Sequence, residues 1–313
     1  MKLATYRCGG SVSFGVVTPR GIVDIPSSSS SVAALGCVEG ILAAGREALA
    51  EAADLARRSR KLLRVEDIQL LPPVQRPGKL IGLAGNYTKH IIEAGAKLGL
   101  SDSPHETTVP RPFLMPPTVL TAPGAEIPLP CCSRQIDYEI ELAVVIGART
   151  RCVEPQEALA AVGGYTIAND VSARSVTFKA GRAARPWDEF FDWLNGKWAD
   201  GFLPLGPCLV TPDEAGGPQN LSMELRVNSE TRQWANCSQM IFSVAETVSF
   251  LSHLMTLEPG DIIATGTPEG VGMASGRYLG PGDRIECTID NLGTLSNTIG
   301  PMPVHFYEPL AKG

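Results

Sequence analysis

Residues 136–147 alternate and then turn wholly apolar: Ile136-Asp137-Tyr138-Glu139-Ile140-Glu141-Leu142-Ala143-Val144-Val145-Ile146-Gly147. A period of two predicts a strand with successive side chains on opposite faces. Asp137, Glu139 and Glu141 then share one face, and Tyr138, Ile140 and Leu142 the other. Val144-Val145-Ile146 predicts burial on both sides. A second strand-like run, residues 165–174, carries Asp170 near its end, and residues 79–84 form a short apolar strand. Pro155 opens a helix at its first turn and Gly163-Gly164 closes it. Ser243 with Glu246 is a capping box that starts a helix with Val244, Val248, Leu251 and Leu254 inward. Pro259-Gly260-Asp261 and Pro281-Gly282-Asp283 are matching turns, each before a strand.

Toward the start, residues 1–25 predict short strands broken at Gly9-Gly10 and Pro19-Arg20-Gly21. A helical stretch follows, with Leu35, Leu42 and Leu49 at seven-residue spacing. It is too short for a coiled coil and is expected to pack on the sheet beside it. The Pro-rich stretch 71–78 marks a boundary between a small N-terminal α/β accessory domain (1–72) and the domain that carries the chemistry (73–313). The fold class expected is α+β, rich in strands.

Composition narrows the picture. Of 313 residues, 32 are Gly and 25 Pro while 6% are aromatic, a balance that favours turns and strands over long helices. The formal charge is −6, and the one basic cluster, Arg57-Arg58-Ser59-Arg60-Lys61, suits the C-terminal end of an Ala-rich helix. Nucleic acid is therefore not an expected partner. No apolar run approaches the roughly 20 residues of a membrane span, and no signal-peptide core opens the chain. The eight cysteines are scattered without Cys-x-x-Cys spacing, as free thiols in a reducing cytoplasm would be.

The chemistry gathers on acids. Carboxylates crowded at the mouth of a buried strand repel each other and resist desolvation. A hard divalent cation offsets both, and Mg²⁺ takes oxygen ligands; the competing reading is a wet acidic face. Asp170 from the neighbouring run makes Glu139, Glu141 and Asp170 a tri-carboxylate set. His90 and Glu93 sit at i and i+3 on a helix, a spacing that fits a carboxylate-held base or a surface pair. Lys197, taken alone among apolar neighbours, is expected at the surface. The polar, proline-bearing residues 101–110 suggest a lid, and residues 175–195 an irregular or partly helical flap whose aromatics pack. Thr265-Gly266-Thr267-Pro268-Glu269-Gly270-Val271-Gly272 is not a phosphate cradle, but leaves a loop with free backbone N–H groups. Gly-x-Ser-x-Gly is absent.

Asp-Tyr-Glu-Ile-Glu-Leu-Ala-Val-Val-Ile-Gly followed by Asn-Asp-Val-Ser-Ala-Arg resembles the fumarylacetoacetate hydrolase family. So do Asn86-Tyr87 with His90 and Glu93, Gly196-Lys197 before Pro204-Leu205-Gly206-Pro207, Met240-Ile241-Phe242 before a helix, and the Thr-Gly-Thr-Pro loop. Together these motifs span about residues 78–300. The resemblance implies a mixed, rolled or barrel-like sheet core in a homodimer. It implies Glu139, Glu141 and Asp170 as ligands of Mg²⁺ or Mn²⁺, and His90 with Glu93 as a water-activating pair. Lys197 would be a pocket lysine, and Arg174 and Thr267 substrate contacts. The family often has Asp after that arginine, where this chain has Ser175. The implied activity is hydrolysis of a carbon–carbon bond in a 2,4-dioxo acid to pyruvate and a carboxylic acid. Oxaloacetate decarboxylation and isomerisation of a 2-hydroxy-dienedioate are the rivals on the same site, and a non-catalytic binder is the rival of another class.

Overall fold

The computed structural model describes residues 1–98, 105–176 and 182–307. Residues 101–104 of the expected lid and 177–181 of the expected flap lie outside them. An eleven-stranded mixed sheet organises the chain. Its main path runs Gly21–Asp24, Ser11–Thr18, Lys2–Cys8, Leu203–Val210, Val162–Asn169, Ile140–Ile146, Ile262–Ala264, Leu80–Leu83 and Pro112–Leu114. Neighbours along it are antiparallel except Ile262–Ala264 with Leu80–Leu83. A five-stranded sheet, Glu230–Asn236, Ser222–Val227, Arg284–Ile289, Gly293–Ile299 and Glu126–Ile127, packs against it. The expectation of a β-rich α+β fold with mixed sheets holds, but the strand path is open and no closed barrel is seen among the described residues.

Ile140–Ile146 is buried at every position, as its run of branched residues requires in the middle of a sheet. Its pleat divides two cores. Ile140, Leu142, Val144 and Ile146 face the five-stranded sheet and the helix Val244–Leu254. Ala143 and Val145 face the N-terminal strands and helices. Hydrogen bonding continues past the Pro-rich connector, because Lys2–Cys8 pairs with both Gln69–Leu71 and Leu203–Val210.

Several local expectations are corrected. Gly163-Gly164 lie inside the strand Val162–Asn169 and do not end a helix; Pro155–Ala158 closes through one 3₁₀ turn. A Cβ on Gly147 would come 2.5 Å from the Gly163 Cα, so the strands cross where only glycines fit. The Leu35/Leu42/Leu49 stretch is three helices, Ser30–Ala33, Val38–Ala44 and Arg46–Arg58, broken where Gly36 and Gly45 take positive φ. The Ser243–Glu246 capping box forms, and Val244, Val248 and Leu251 are buried, yet Leu254 is exposed at the last turn. In the flap, Asp188–Asn195 is helical, with Trp187, Phe190 and Phe191 exposed where packing was expected. The two Pro-Gly-Asp turns do echo each other: Asp261 accepts from the Glu258 N–H and Asp283 from the Gly280 N–H. No helix among the described residues is long and apolar enough to cross a membrane, and all eight cysteines are free.

Candidate metal and proton-transfer site

The acidic strand is not continuous. Gln135–Asp137 pairs with Ser172–Arg174 in a separate two-stranded sheet, and the chain enters the large sheet at Ile140. This break removes Asp137 from the face of Glu139 and Glu141. Asp137 instead accepts from the Gly272 N–H (2.6 Å), the Met273 N–H (3.0 Å) and Arg174 Nε (3.0 Å). Asn169 pairs opposite Ile140, and the Asp170 N–H donates to the Glu139 carbonyl, so the two strand ends deliver their carboxylates side by side.

Glu139, Glu141 and Asp170 are each buried, with one carboxylate oxygen apiece within 4.8 Å of the others. Lys197 is 2% exposed, correcting its local reading as a surface lysine. It follows the helix Asp188–Asn195, and its Nζ lies 2.7 Å from Glu139 Oε2 and 2.6 Å from Asp170 Oδ2. The Trp193 ring lies 5.8 Å from that ammonium, within the range of a cation–π contact. Arg174 donates through Nη2 to Glu139. Ser175 donates to Gln135.

These contacts sort the acids. Burial raises the Glu139 carboxyl, but Lys197 and Arg174 outweigh it and hold it down at about 2. Burial, with repulsion from Asp170 and Glu139, pushes Glu141 well above the usual range. Asp170 rises to about 6 by burial, against the pull of Lys197. Lys197 itself loses to burial but gains more from Asp170 and Glu139, and is raised. Three oxygen ligands, surplus negative charge and a buried Asp170 Oδ1 without a hydrogen-bond partner fit a hard divalent cation.

The Thr-Gly-Thr-Pro loop holds the rest. Several of its N–H groups are already taken by acceptors. The Gly266 N–H donates to Glu141 (2.8 Å), and the Gly270 and Val271 N–H groups to Glu93 (2.9 and 3.2 Å). Those of Gly272 and Met273 serve Asp137, so one loop clamps three carboxylates. Gly266 and Gly270 take φ of +91° and +99°, a region other residues enter at a cost. His90, on the helix Thr88–Leu98, is mostly buried, with Nδ1 3.7 Å from Glu93 Oε1 and no closer partner. Glu93 is held low: burial raises it, while His90 and the loop N–H groups lower it further. Thr267 is buried, its hydroxyl accepting from Gln233 Nε2 (2.9 Å).

Gln233 escaped the sequence reading. It accepts from the Ile140 N–H and donates to Thr267 and the Pro268 carbonyl, tying the second sheet to strand and loop. Its signal was weak, because its strand exposes Trp234 and buries Gln233 with Ala235, the reverse of what hydropathy suggests.

Residues 79–300 match the fumarylacetoacetate (FAA) hydrolase C-terminal family. The chain is 33% identical over 301 residues to the mitochondrial oxaloacetate tautomerase FAHD2A of Homo sapiens, covering 96% of this chain and 87% of that one. It is 41% identical over 225 residues to a 2,4-didehydro-3-deoxy-L-rhamnonate hydrolase of a Sphingomonas species, covering 71% and 73%. Among solved structures, the maleylpyruvate hydrolase of a Sphingobium species in complex with manganese (II) ion and pyruvate superposes with a TM-score of 0.75 at 29% identity, over 97% of this chain and 100% of that one. The chain belongs to the fumarylacetoacetate hydrolase family.

Proposed function

We propose that the protein is a Mg²⁺- or Mn²⁺-dependent hydrolase that cleaves a carbon–carbon bond of an acylpyruvate-type 2,4-dioxo acid, giving pyruvate and a carboxylic acid. The observation that carries this reading is the histidine beside a clamped acid: His90 lies against Glu93, and the loop whose Gly270 N–H holds Glu93 also holds Glu141 through its Gly266 N–H. A site that merely binds a dioxo acid needs no such base. When bound by Glu139, Glu141 and Asp170, the cation supplies a Lewis acid for the carboxylate and 2-oxo oxygens.

The chain's own residues do the rest. His90 takes a proton from water, and Glu93 orients the imidazole and stabilises its charge. The water oxygen bonds to the distal carbonyl carbon. The bond from that carbon to C3 breaks, its electron pair passing to the enolate of pyruvate, and His90 returns the proton at C3. Lys197 places a buried ammonium where enolate charge develops. Thr267 and Arg174 are proposed to contact the acid. Two Arg174 donors already serve Asp137 and Glu139, so its contact falls to Nη1. The proposal includes a homodimer in the cytoplasm.

A second reading, keto–enol tautomerisation of oxaloacetate, is favoured by the likeness to the human tautomerase over nearly the whole chain. It uses the same enolate site and lets His90 move a proton at C3 without attack by water; decarboxylation and diene isomerisation use that site too. The test is product analysis. Protein with Mg²⁺ or Mn²⁺ is given acetylpyruvate, fumarylpyruvate, fumarylacetoacetate and oxaloacetate, and pyruvate, acid, CO₂ and enol are measured. Pyruvate with an equal amount of acid supports the hydrolase; enol turnover alone, or CO₂ alone, replaces it.

A further inference from the structure

The side-chain amide of Gln233 has one possible orientation. The residue is 1% exposed and follows a register shift between Ser222–Val227 and Glu230–Asn236, the kind of bulge that re-aims a side chain. The Ile140 N–H can only donate, so the amide atom 3.0 Å from it is Oε1. The Pro268 carbonyl can only accept, so the amide atom 2.9 Å from it is Nε2. Nε2 then presents its second proton to Thr267 Oγ1 at 2.9 Å, with the Glu269 carbonyl farther off at 3.4 Å. Thr267 is therefore an acceptor toward Gln233, and its own proton points elsewhere. Thr267 is 3% exposed, and among the described residues its hydroxyl donates to none. A buried donor without an acceptor is costly. The Gly266 N–H is spent on Glu141, which places Thr267 one residue from a contact with the acid cluster.

We propose that Gln233 is a positioning residue for Thr267: its amide holds the Thr267 hydroxyl as a donor for an anionic oxygen of the bound oxo acid. This rests on the reading of Thr267 as a contact of a dioxo acid. Gln233 acts through the direction of one proton and is itself not a reacting group. Thr267→Val keeps the shape of the side chain and removes the donor. Gln233→Glu keeps the acceptor for the Ile140 N–H but puts an oxygen where Nε2 stood, and the Thr267 hydroxyl turns to it.

Two readouts are taken on the full-length protein with Mn²⁺. Isothermal titration calorimetry with pyruvate tests the contact apart from any chemistry, and steady-state kinetics on an acylpyruvate tests its consequence. Thr267→Val and Gln233→Glu should each weaken pyruvate binding by about ten- to a hundred-fold, the loss of one bond to a charged oxygen. Each should raise KM more than it lowers kcat and keep the Mn²⁺-induced rise in Tm. Thr267→Ser should recover most of the affinity. The double variant should bind no more weakly than the worse single one, because Gln233 acts only through that hydroxyl. If Gln233→Glu does not fold, Gln233→Met, a weak acceptor that cannot donate, takes its place in the cycle. Unchanged pyruvate affinity in Thr267→Val, or no pyruvate binding by wild type, overturns the donor. Additive losses in the double variant overturn the role of Gln233. If wild type binds pyruvate but cleaves no acylpyruvate, the hydrolase reading fails, and the pyruvate measurement still decides whether Gln233 aims Thr267.

Discussion

Without a divalent cation, this protein should become less stable as pH rises from 5 to 8, the reverse of an ordinary surface acid. Asp170 in the metal-free site is raised from 3.8 to about 6. An acid whose folded pKa lies above its unfolded one holds its stability at low pH and loses it as pH climbs through the folded value. The full gap is roughly two units, or about 3 kcal/mol at about 1.36 kcal/mol per unit. The part above pH 5 is about half of that gap, on the order of 1 kcal/mol, and Glu141, raised by burial and by Asp170 and Glu139, adds in the same direction. Glu139 has the opposite sign, but its stabilisation is lost only as pH falls toward about 2 and does not enter this window. For a chain of this size, 1 kcal/mol is roughly 1–2 °C in Tm, at about 2.1 cal/mol/K of unfolding entropy per residue. The cation needs the ionised carboxylates, so its stabilisation should grow with pH, reaching about 2.7 kcal/mol at a hundredfold excess over Kd. The assay is thermal unfolding in EDTA and in Mn²⁺ at pH 5 and 8. A Tm in EDTA that is flat or higher at pH 8, together with no shift on adding Mn²⁺ there, would refute the reasoning.

Other outcomes follow from the same geometry. Asp170→Asn or Glu141→Gln should abolish both activity and the Mn²⁺-induced rise in Tm while far-UV circular dichroism stays unchanged, since each removes a ligand charge from a site that keeps its shape. Lys197→Met should lower kcat by about 10²–10³ and change KM much less; steady-state kinetics within a few-fold of wild type would exclude an enolate-stabilising role. Gly270→Ala meets both a φ of +99° and the Arg232 carbonyl. It should lower stability by about 1–3 kcal/mol in urea unfolding and weaken the hold on Glu93.

The acid cluster was legible because alternation places Glu139 and Glu141 on one face whatever the rest of the chain does. Asp137 obeyed the same alternation and was misplaced, since the sheet changes between Asp137 and Ile140 and a period of two says nothing about where a strand leaves its sheet. Lys197 was illegible locally. Its burial depends on two carboxylates 58 and 27 residues earlier, which no window around it contains. The family motifs recovered it because they carry such long-range placement. The Thr-Gly-Thr-Pro loop was recognised as a source of N–H donors, but its three carboxylate acceptors come from the helix Thr88–Leu98, the strand Ile140–Ile146 and Gln135–Asp137, and only the fold brings these together. The break at Gly36 and Gly45 lay in plain view of the sequence, where leucine spacing outweighed two glycines that the turns require.

The most direct test of carbon–carbon hydrolysis driven by His90 is a ¹³C NMR time course of acetylpyruvate with Mg²⁺, comparing wild type with His90→Ala. The account predicts pyruvate and acetate appearing together one to one in wild type. In His90→Ala that cleavage should slow by about 10²–10⁴, with the Mn²⁺-induced rise in Tm unchanged. Keto–enol interconversion without cleavage in wild type, or cleavage undiminished in His90→Ala, would contradict it.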